Sequence, residues 1–200
     1  MPCECGDNRS PMSITLVLGG ARSGKSLFAE DLAGRSGWPV TYIATARAAA
    51  IDASNNDTEM AERIARHRAR RPATWRTVEA PLALAAALDT HAVANTCVLV
   101  DCLTLWLSNL LFAEPREFPD TGVVDPGADF TRQRDALLGG LPRLPGNIIL
   151  VSNEIGFGVT PMGAVTRFFV DEAGRLNQRV AAIADQVRLI VAGCPVVVKG

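Results

Sequence analysis

Residues 19–26 read Gly-Gly-Ala-Arg-Ser-Gly-Lys-Ser, a complete match to G-x-x-x-x-G-K-[ST]. No other stretch restricts the fold so tightly, because the motif works only between a strand and a helix. Both flanks are present. Ile14-Thr15-Leu16-Val17-Leu18 is an apolar run that reads as a buried strand, and Leu27-Phe28-Ala29-Glu30-Asp31-Leu32-Ala33 continues as a helix. In such a turn, glycines let the backbone curl until successive N–H groups point at one phosphate, and the helix N-terminus adds positive potential. Lys25 then reaches the β- and γ-phosphates, and the Ser26 hydroxyl holds Mg²⁺. Gly19, Gly20, Ala21, Arg22, Ser23, Gly24, Lys25 and Ser26 together predict a site for a nucleoside triphosphate.

The rest of the chain repeats that strand–helix alternation. Apolar runs at 40–44, 97–101, 148–152 and 187–191 have hydrophobic character on both faces, as a doubly covered parallel sheet demands. Residues 74–79 alternate and read as a further strand, and 195–199 as a final edge strand. Helices are predicted over 24–35, 57–71, 81–89, 103–112, 129–141 and within 166–184. The expected fold class is α/β: a single P-loop (RecA-like) domain with a mostly parallel sheet covered by helices on both faces. Residues 47–56 read as a loop, and Glu114 to Ala128, with three prolines and two glycines, as an insertion or lid.

Composition narrows the function classes. Two hundred residues suit one domain, here 13–200, with residues 1–12 expected to be a disordered extension. A net charge of −1 offers no field for nucleic acid or anionic lipid. No apolar run approaches the roughly 18 residues of a membrane span, and the N-terminus lacks the apolar centre of a signal peptide. The five cysteines, an odd count, point to a reducing, cytoplasmic setting. Cys3 and Cys5 form a C-x-C pair without the further ligands that zinc requires.

Other residues carry possible chemistry. Asp101 closes a hydrophobic strand, where the acidic partner of a phosphate loop holds Mg²⁺; a helix cap, shared with Thr104, is the alternative. In the basic segment 59–72, Met60, Ile64 and His67 share a helical face, among Arg63, Arg66, Arg68, Arg70 and Arg71. Crowded guanidinium groups depress an imidazole pKa, and a neutral imidazole is a nucleophile towards phosphorus. A histidine that merely packs on a solvated basic helix fits the same pattern. Single-stranded nucleic acid is disfavoured by the lack of interleaved aromatics. Glu154, just past a strand end where open α/β sheets place ligands, is either a proton acceptor, a metal ligand or a solvated acid. Arg175 and Arg179, one turn apart, can meet phosphate or Asp171 and Glu172.

Six separated motifs, in order, resemble one family. They are the loop at 19–26, Tyr42-Ile43-Ala44-Thr45, Glu59-Met60 with Arg63-Ile64 and His67, Arg71-Pro72 with Trp75, Asn153-Glu154-Ile155-Gly156, and Gly174-Arg175 with Asn177-Gln178. Between Ile14 and Lys199 the chain resembles the bifunctional adenosylcobinamide kinase / adenosylcobinamide-phosphate guanylyltransferases of cobalamin biosynthesis. The resemblance implies two reactions. ATP or GTP phosphorylates the aminopropanol hydroxyl of adenosylcobinamide, and GTP then donates GMP to adenosylcobinamide phosphate through a GMP-histidine, matched here by His67. It further implies nucleotide contacts at 19–26, at Thr45, Ala46 and Arg47, at Arg68, Ala69, Arg70 and Arg71, at Glu79 and at Asp101, with Ser26 and Asp101 on Mg²⁺. The longer link after Arg47, the N-terminal extension and the 114–128 insertion depart from the compact family pattern. A homotrimer with sites near subunit junctions is also implied. The competing readings are a P-loop kinase of another small alcohol, with His67 structural, and a nucleotide-gated regulatory module.

Overall fold

In the computed structural model, residues 12–46 and 71–200 are described. The predicted helix over 57–71, the loop at 47–56, the C-x-C pair and the site residues Arg47, His67, Arg68, Ala69 and Arg70 lie outside the described residues, apart from Arg71.

Seven strands form one sheet in the order β3-β2-β4-β5-β1-β6-β7. They are β1 (Met12–Gly19), β2 (Val40–Ala44), β3 (Arg76–Glu79), β4 (Cys97–Asp101), β5 (Gly146–Asn153), β6 (Gln186–Val191) and β7 (Cys194–Lys199). Pairing is parallel from β3 across to β6, and only β7 runs antiparallel, against β6. β1 begins two residues before the expected Ile14. Met12 and Ser13 find partners in Gly146 and Asn147, so Met12 belongs to the sheet rather than to an extension.

Residues of alternating parity along the strands feed two hydrophobic layers, as a period of two requires. Ile14, Leu16, Val98, Val100, Ile148 and Leu150 face a core built with α2 (Leu84–His91), α3 (Leu103–Leu111), α4 (Ala128–Gly140) and α5 (Ala164–Ile183). Val17, Tyr42, Leu99, Ile149, Val151 and Ile190 face the other way, onto Ala29 and Ala33 of α1 (Lys25–Gly34) and onto Trp38 and Trp75. The buried runs have no polar alternation because both faces are covered.

α2 starts three residues later than expected. Trp106 Nε1 and Asn109 Nδ2, both on α3, donate to the carbonyls of Leu82 (2.8 Å) and Pro81 (3.2 Å). Those carbonyls serve the neighbouring helix, and helical turns begin only beyond them. α5 is continuous through Gly174, and its C-terminal carbonyls at Ala181, Ala182 and Ala184 accept from Lys199 Nζ at 3.0, 3.3 and 2.5 Å. A cation at that end also suits the helix dipole. The 114–128 segment packs onto the domain: Phe118 meets Phe112 edge-on at 5.6 Å, Val124 is buried, and Ala164 N donates to Asp120 O at 3.3 Å.

Candidate nucleotide site

Register brings the chemistry-bearing residues to one edge of the sheet. Gly19 pairs with Asn153 and Ile190, and Ala44 pairs with both Asp101 and Glu79. All lie at the carboxyl ends of parallel strands, where open α/β sheets bind ligands. Strand spacing then sets the scale. Asp101 on β4 is two strands from β1, about 10 Å, and Glu79 on β3 is four strands away, about 19 Å. The edge therefore carries two clusters, one around the phosphate loop and one towards β3.

The loop itself is shaped by backbone that most residues avoid. Arg22 and Gly24 have φ of 57° and 95°, and Lys25 opens α1 directly after the second. A Cβ on Gly19 would collide with Ser23 Oγ and lie 2.8 Å from Ile190 O, so glycine is required there by space. The Ala192-Gly193 turn between β6 and β7, with φ of 50° and 81°, presses on the loop from outside. Gly193 N donates to Ser23 O at 2.8 Å, and a Cβ on Gly24 would come within 3.3 Å of Gly193 Cα. Lys25, 4% exposed, donates from Nζ to Gly20 O at 3.0 Å, folding over the concavity. Ser23 Oγ is buried with no hydrogen-bond partner among the described residues. A cradle that a Cβ would fill, a poised ammonium and an orphaned hydroxyl fit a bound polyphosphate. Ser26 follows Lys25 on the first helical turn, the position from which its hydroxyl can hold Mg²⁺.

Asp101 ends β4 in a network. Tyr42 donates its hydroxyl to Asp101 Oδ2 at 3.1 Å. Thr45, wholly buried, braces the next peptide: its Oγ1 lies 3.2 Å from Asp101 O and 2.9 Å from Cys102 O and accepts from Cys102 N at 2.9 Å. The helix-cap alternative fails. Cys102 is the N-cap residue of α3, without a side-chain cap bond, and Thr104 Oγ1 instead accepts from Asn153 N at 2.7 Å and meets Ser152 Oγ at 3.1 Å. Carboxylate oxygens have capacity beyond one hydroxyl donor, so Asp101 can also serve a hydrated Mg²⁺ bound mainly through phosphates. No cluster of three or more His, Cys, Asp or Glu with metal-binding geometry occurs among the described residues, and a phosphate-borne Mg²⁺ needs none.

Arg71 links Asp101 to the second cluster. Its guanidinium carbon sits 3.3 Å from the Tyr42 ring centroid, a stacked cation–π contact. Burial, and next the Asp101 carboxylate, push the Tyr42 phenol well above its ordinary pKa, so it remains a donor. Beyond Arg71 lies a pocket of about 370 Å³ lined by Arg71, Pro72, Ala73, Trp75, Thr77 and Glu79. The structure thus brings Arg71 and Glu79 together, and sets Thr45 and Asp101 between them and the loop.

At the β5 end, Glu154 N donates to Gly19 O at 3.1 Å, which puts this acidic segment against the first glycine of the loop. Glu154 Oε1 accepts from Gly156 N at 2.7 Å. Arg175 pairs with Glu172 at 2.6 Å and Arg179 with Asp135 at 3.4 Å, so Asp171 is the partner of neither in these contacts. Tyr42, the chain's one tyrosine, and the Ala192-Gly193 turn have parts in the site that residue pattern alone did not show. A phenol inside the otherwise small and aliphatic run Val40-Thr41-Tyr42-Ile43-Ala44 was the available signal for Tyr42.

No helix among the described residues is long and apolar enough to cross a membrane. The solved structure of the type III secretion ATPase EscN from enteropathogenic E. coli matches 90% of this chain and 43% of its own, with TM-score 0.51 and 13% identity. That likeness supports the P-loop fold alone. The chain is 54% identical to the bifunctional adenosylcobalamin biosynthesis protein CobP of Pseudomonas aeruginosa, over 92% of this chain and 96% of that one. It is 40% identical to the corresponding CobU of Salmonella typhimurium, over 93% and 99%. Residues 15–198 match the model of one family. The chain belongs to the cobinamide kinase / cobinamide phosphate guanyltransferase family.

Proposed function

We propose that the protein phosphorylates adenosylcobinamide with ATP or GTP, then transfers GMP from GTP to adenosylcobinamide phosphate. The observation that carries this reading is the pairing of a complete phosphate cradle with a second pocket four strands along the same sheet edge. A simple kinase needs the first. Attack at the α-phosphorus rather than the γ-phosphorus requires a nucleophile and a nucleotide pose of its own, and the second cluster offers room for both.

In the kinase step, the loop N–H groups and Lys25 hold the triphosphate, with Ser26 and Asp101 as the residues that would hold Mg²⁺. Bound there, Mg²⁺ would neutralise charge on the β- and γ-phosphates. The aminopropanol oxygen of the corrinoid attacks the γ-phosphorus, its proton departs, and the bond to the nucleoside diphosphate breaks. In the second step a neutral nitrogen of His67 attacks the α-phosphorus of GTP. Pyrophosphate leaves, its charge met by Arg68, Arg70 and Arg71. The corrinoid phosphate then attacks the GMP-histidine, the P–N bond breaks, and adenosylcobinamide-GDP is released with the imidazole restored. The nucleoside of GMP belongs, in this reading, in the Arg71–Glu79 pocket; Thr45, Ala46, Arg47 and Ala69 complete its surroundings. A cytoplasmic homotrimer is part of the proposal, and light scattering checks the assembly.

Incubation of the protein with adenosylcobinamide, Mg²⁺ and GTP, followed by mass spectrometry, tests the function. The expected products are adenosylcobinamide phosphate and adenosylcobinamide-GDP with pyrophosphate. Phosphorylation that never proceeds to the GDP adduct would leave a kinase only.

A further inference from the structure

Gly174 sits near the middle of the 20-residue helix α5, where glycine weakens a helix relative to alanine. Neither usual reason for keeping it applies. Its φ is not in the left-handed region, and a Cβ built there would meet nothing within 4 Å. What lies beyond it is open space: a pocket of about 430 Å³ lined also by Ile155, Thr160, Arg167, Asp171 and Gln178. A helix backbone laid bare towards a cavity suits close approach of a ligand.

The pocket adjoins the phosphate loop. Its wall begins at Ile155, one residue past Glu154, whose N–H is bonded to Gly19 O. Asn177, beside Gln178, is buried and donates from Nδ2 to Asn153 O at 3.1 Å, while its Oδ1 has no partner among the described residues. Its amide thus ties α5 to the strand end that leads to the loop. The facing wall is held in place by Arg167, which donates from Nη1 to Pro161 O at 3.2 Å and to Met162 O. That wall carries Phe157, Val159 and Met162, which are 84%, 95% and 90% exposed. Polar lining and an apolar rim together match an amphiphilic molecule rather than a nucleotide.

We propose that this pocket is the acceptor site, taking the hydroxyalkyl-amide arm and adjoining carboxamides of the corrinoid, whose ring rests on Phe157, Val159 and Met162. The inference rests on the kinase reading above. An acceptor seated there meets the phosphate loop from the β5 side, and the Arg71–Glu79 pocket lies further along the sheet in the same direction, at β3.

The test uses the full-length chain and its variants Gly174→Ala and Gly174→Leu. Cobinamide affinity is measured by equilibrium dialysis with a non-hydrolysable GTP analogue present, alongside analogue affinity, thermal unfolding and gel filtration. Gly174→Ala is expected to melt no lower than wild type. Gly174→Leu is expected to raise the cobinamide Kd by about tenfold or more with analogue affinity unchanged, since a filled pocket excludes the arm. Wild-type cobinamide affinity in Gly174→Leu would overturn the proposal, as would a changed oligomeric state with cobinamide binding intact, which would make the pocket a junction between copies. Should Gly174→Leu not fold, Gln178→Leu takes its place with the same two outcomes. A wild-type protein that neither binds nor turns over cobinamide would overturn the activity itself, a separate failure.

Discussion

The Tyr42 hydroxyl donates to Asp101 Oδ2 at 3.1 Å while the Arg71 guanidinium covers the same ring at 3.3 Å. One aromatic side chain thus ties the strand-end carboxylate beside the phosphate loop to the first residue of the second pocket. Tyr42→Phe keeps the ring and its stacking but deletes the donor to a carboxylate, a loss of roughly 1–3 kcal/mol. The variant is expected to need several-fold more Mg²⁺ for half-maximal phosphorylation, with little change in saturated rate. A Mg²⁺ titration matching wild type would show that the hydroxyl does not position Asp101.

Asp101→Asn removes charge where Tyr42→Phe removes only orientation. It is expected to weaken metal binding further than Tyr42→Phe does, raising the Mg²⁺ requirement by about tenfold or more. The same titration decides the order. An unaltered requirement would take Asp101 out of the metal site.

Two loop substitutions separate shape from charge. Gly19→Ala places a methyl against Ser23 Oγ and 2.8 Å from Ile190 O, so the loop must shift, and both stability and GTP affinity should fall. Lys25→Ala leaves that backbone in place but removes the ammonium, so GTP affinity should fall by about tenfold or more with the far-ultraviolet spectrum preserved. Isothermal titration with GTP distinguishes them. Equal affinity in Lys25→Ala and wild type would contradict the assignment of the cradle.

Much of this architecture was legible in the chain. The buried parallel strands announce themselves as uninterrupted apolar runs, and the loop at 19–26 is fixed by local chemistry. Strand order was not legible, because lateral neighbours such as β1 and β5 are set by packing between distant segments. Neither was the use of Pro81 and Leu82 carbonyls by Trp106 and Asn109, which moves the start of α2. Glu79 was legible as a site residue only through family resemblance, whereas Arg71 also stood out among the arginines around His67; their shared pocket depends on the turn at 72–75 and the parallel β2–β3 register. Tyr42 was missed as a partner of Asp101 because cross-strand proximity has no local signature.

Alkaline pH offers a test of the core beneath the site. Burial pushes the Cys97 thiol from its ordinary 9.0 up to about 11, and the buried Tyr42 phenol is raised as well. Below pH 9 the thiol is protonated in both folded and unfolded chains, and its contribution is fully present. As pH rises from 9 to about 11, the unfolded chain binds fewer protons, so stability falls by up to about 1.4 kcal/mol per pH unit from this group. Urea unfolding of wild type across that range should show the decline. In Cys97→Ala the slope should flatten between pH 9 and about 10, the part that Tyr42 does not share. An unchanged slope would contradict the burial of this thiol.

Guanylyl transfer through an enzyme-bound histidine is the centre of the account, and labelling with α-³²P-GTP tests it most directly. Wild-type protein should acquire radioactivity that is labile to acid, stable to base and discharged by adenosylcobinamide phosphate. His67→Ala should acquire none while still phosphorylating adenosylcobinamide. Normal labelling of His67→Ala, or a wild-type protein that forms the GDP adduct without ever carrying label, would contradict it.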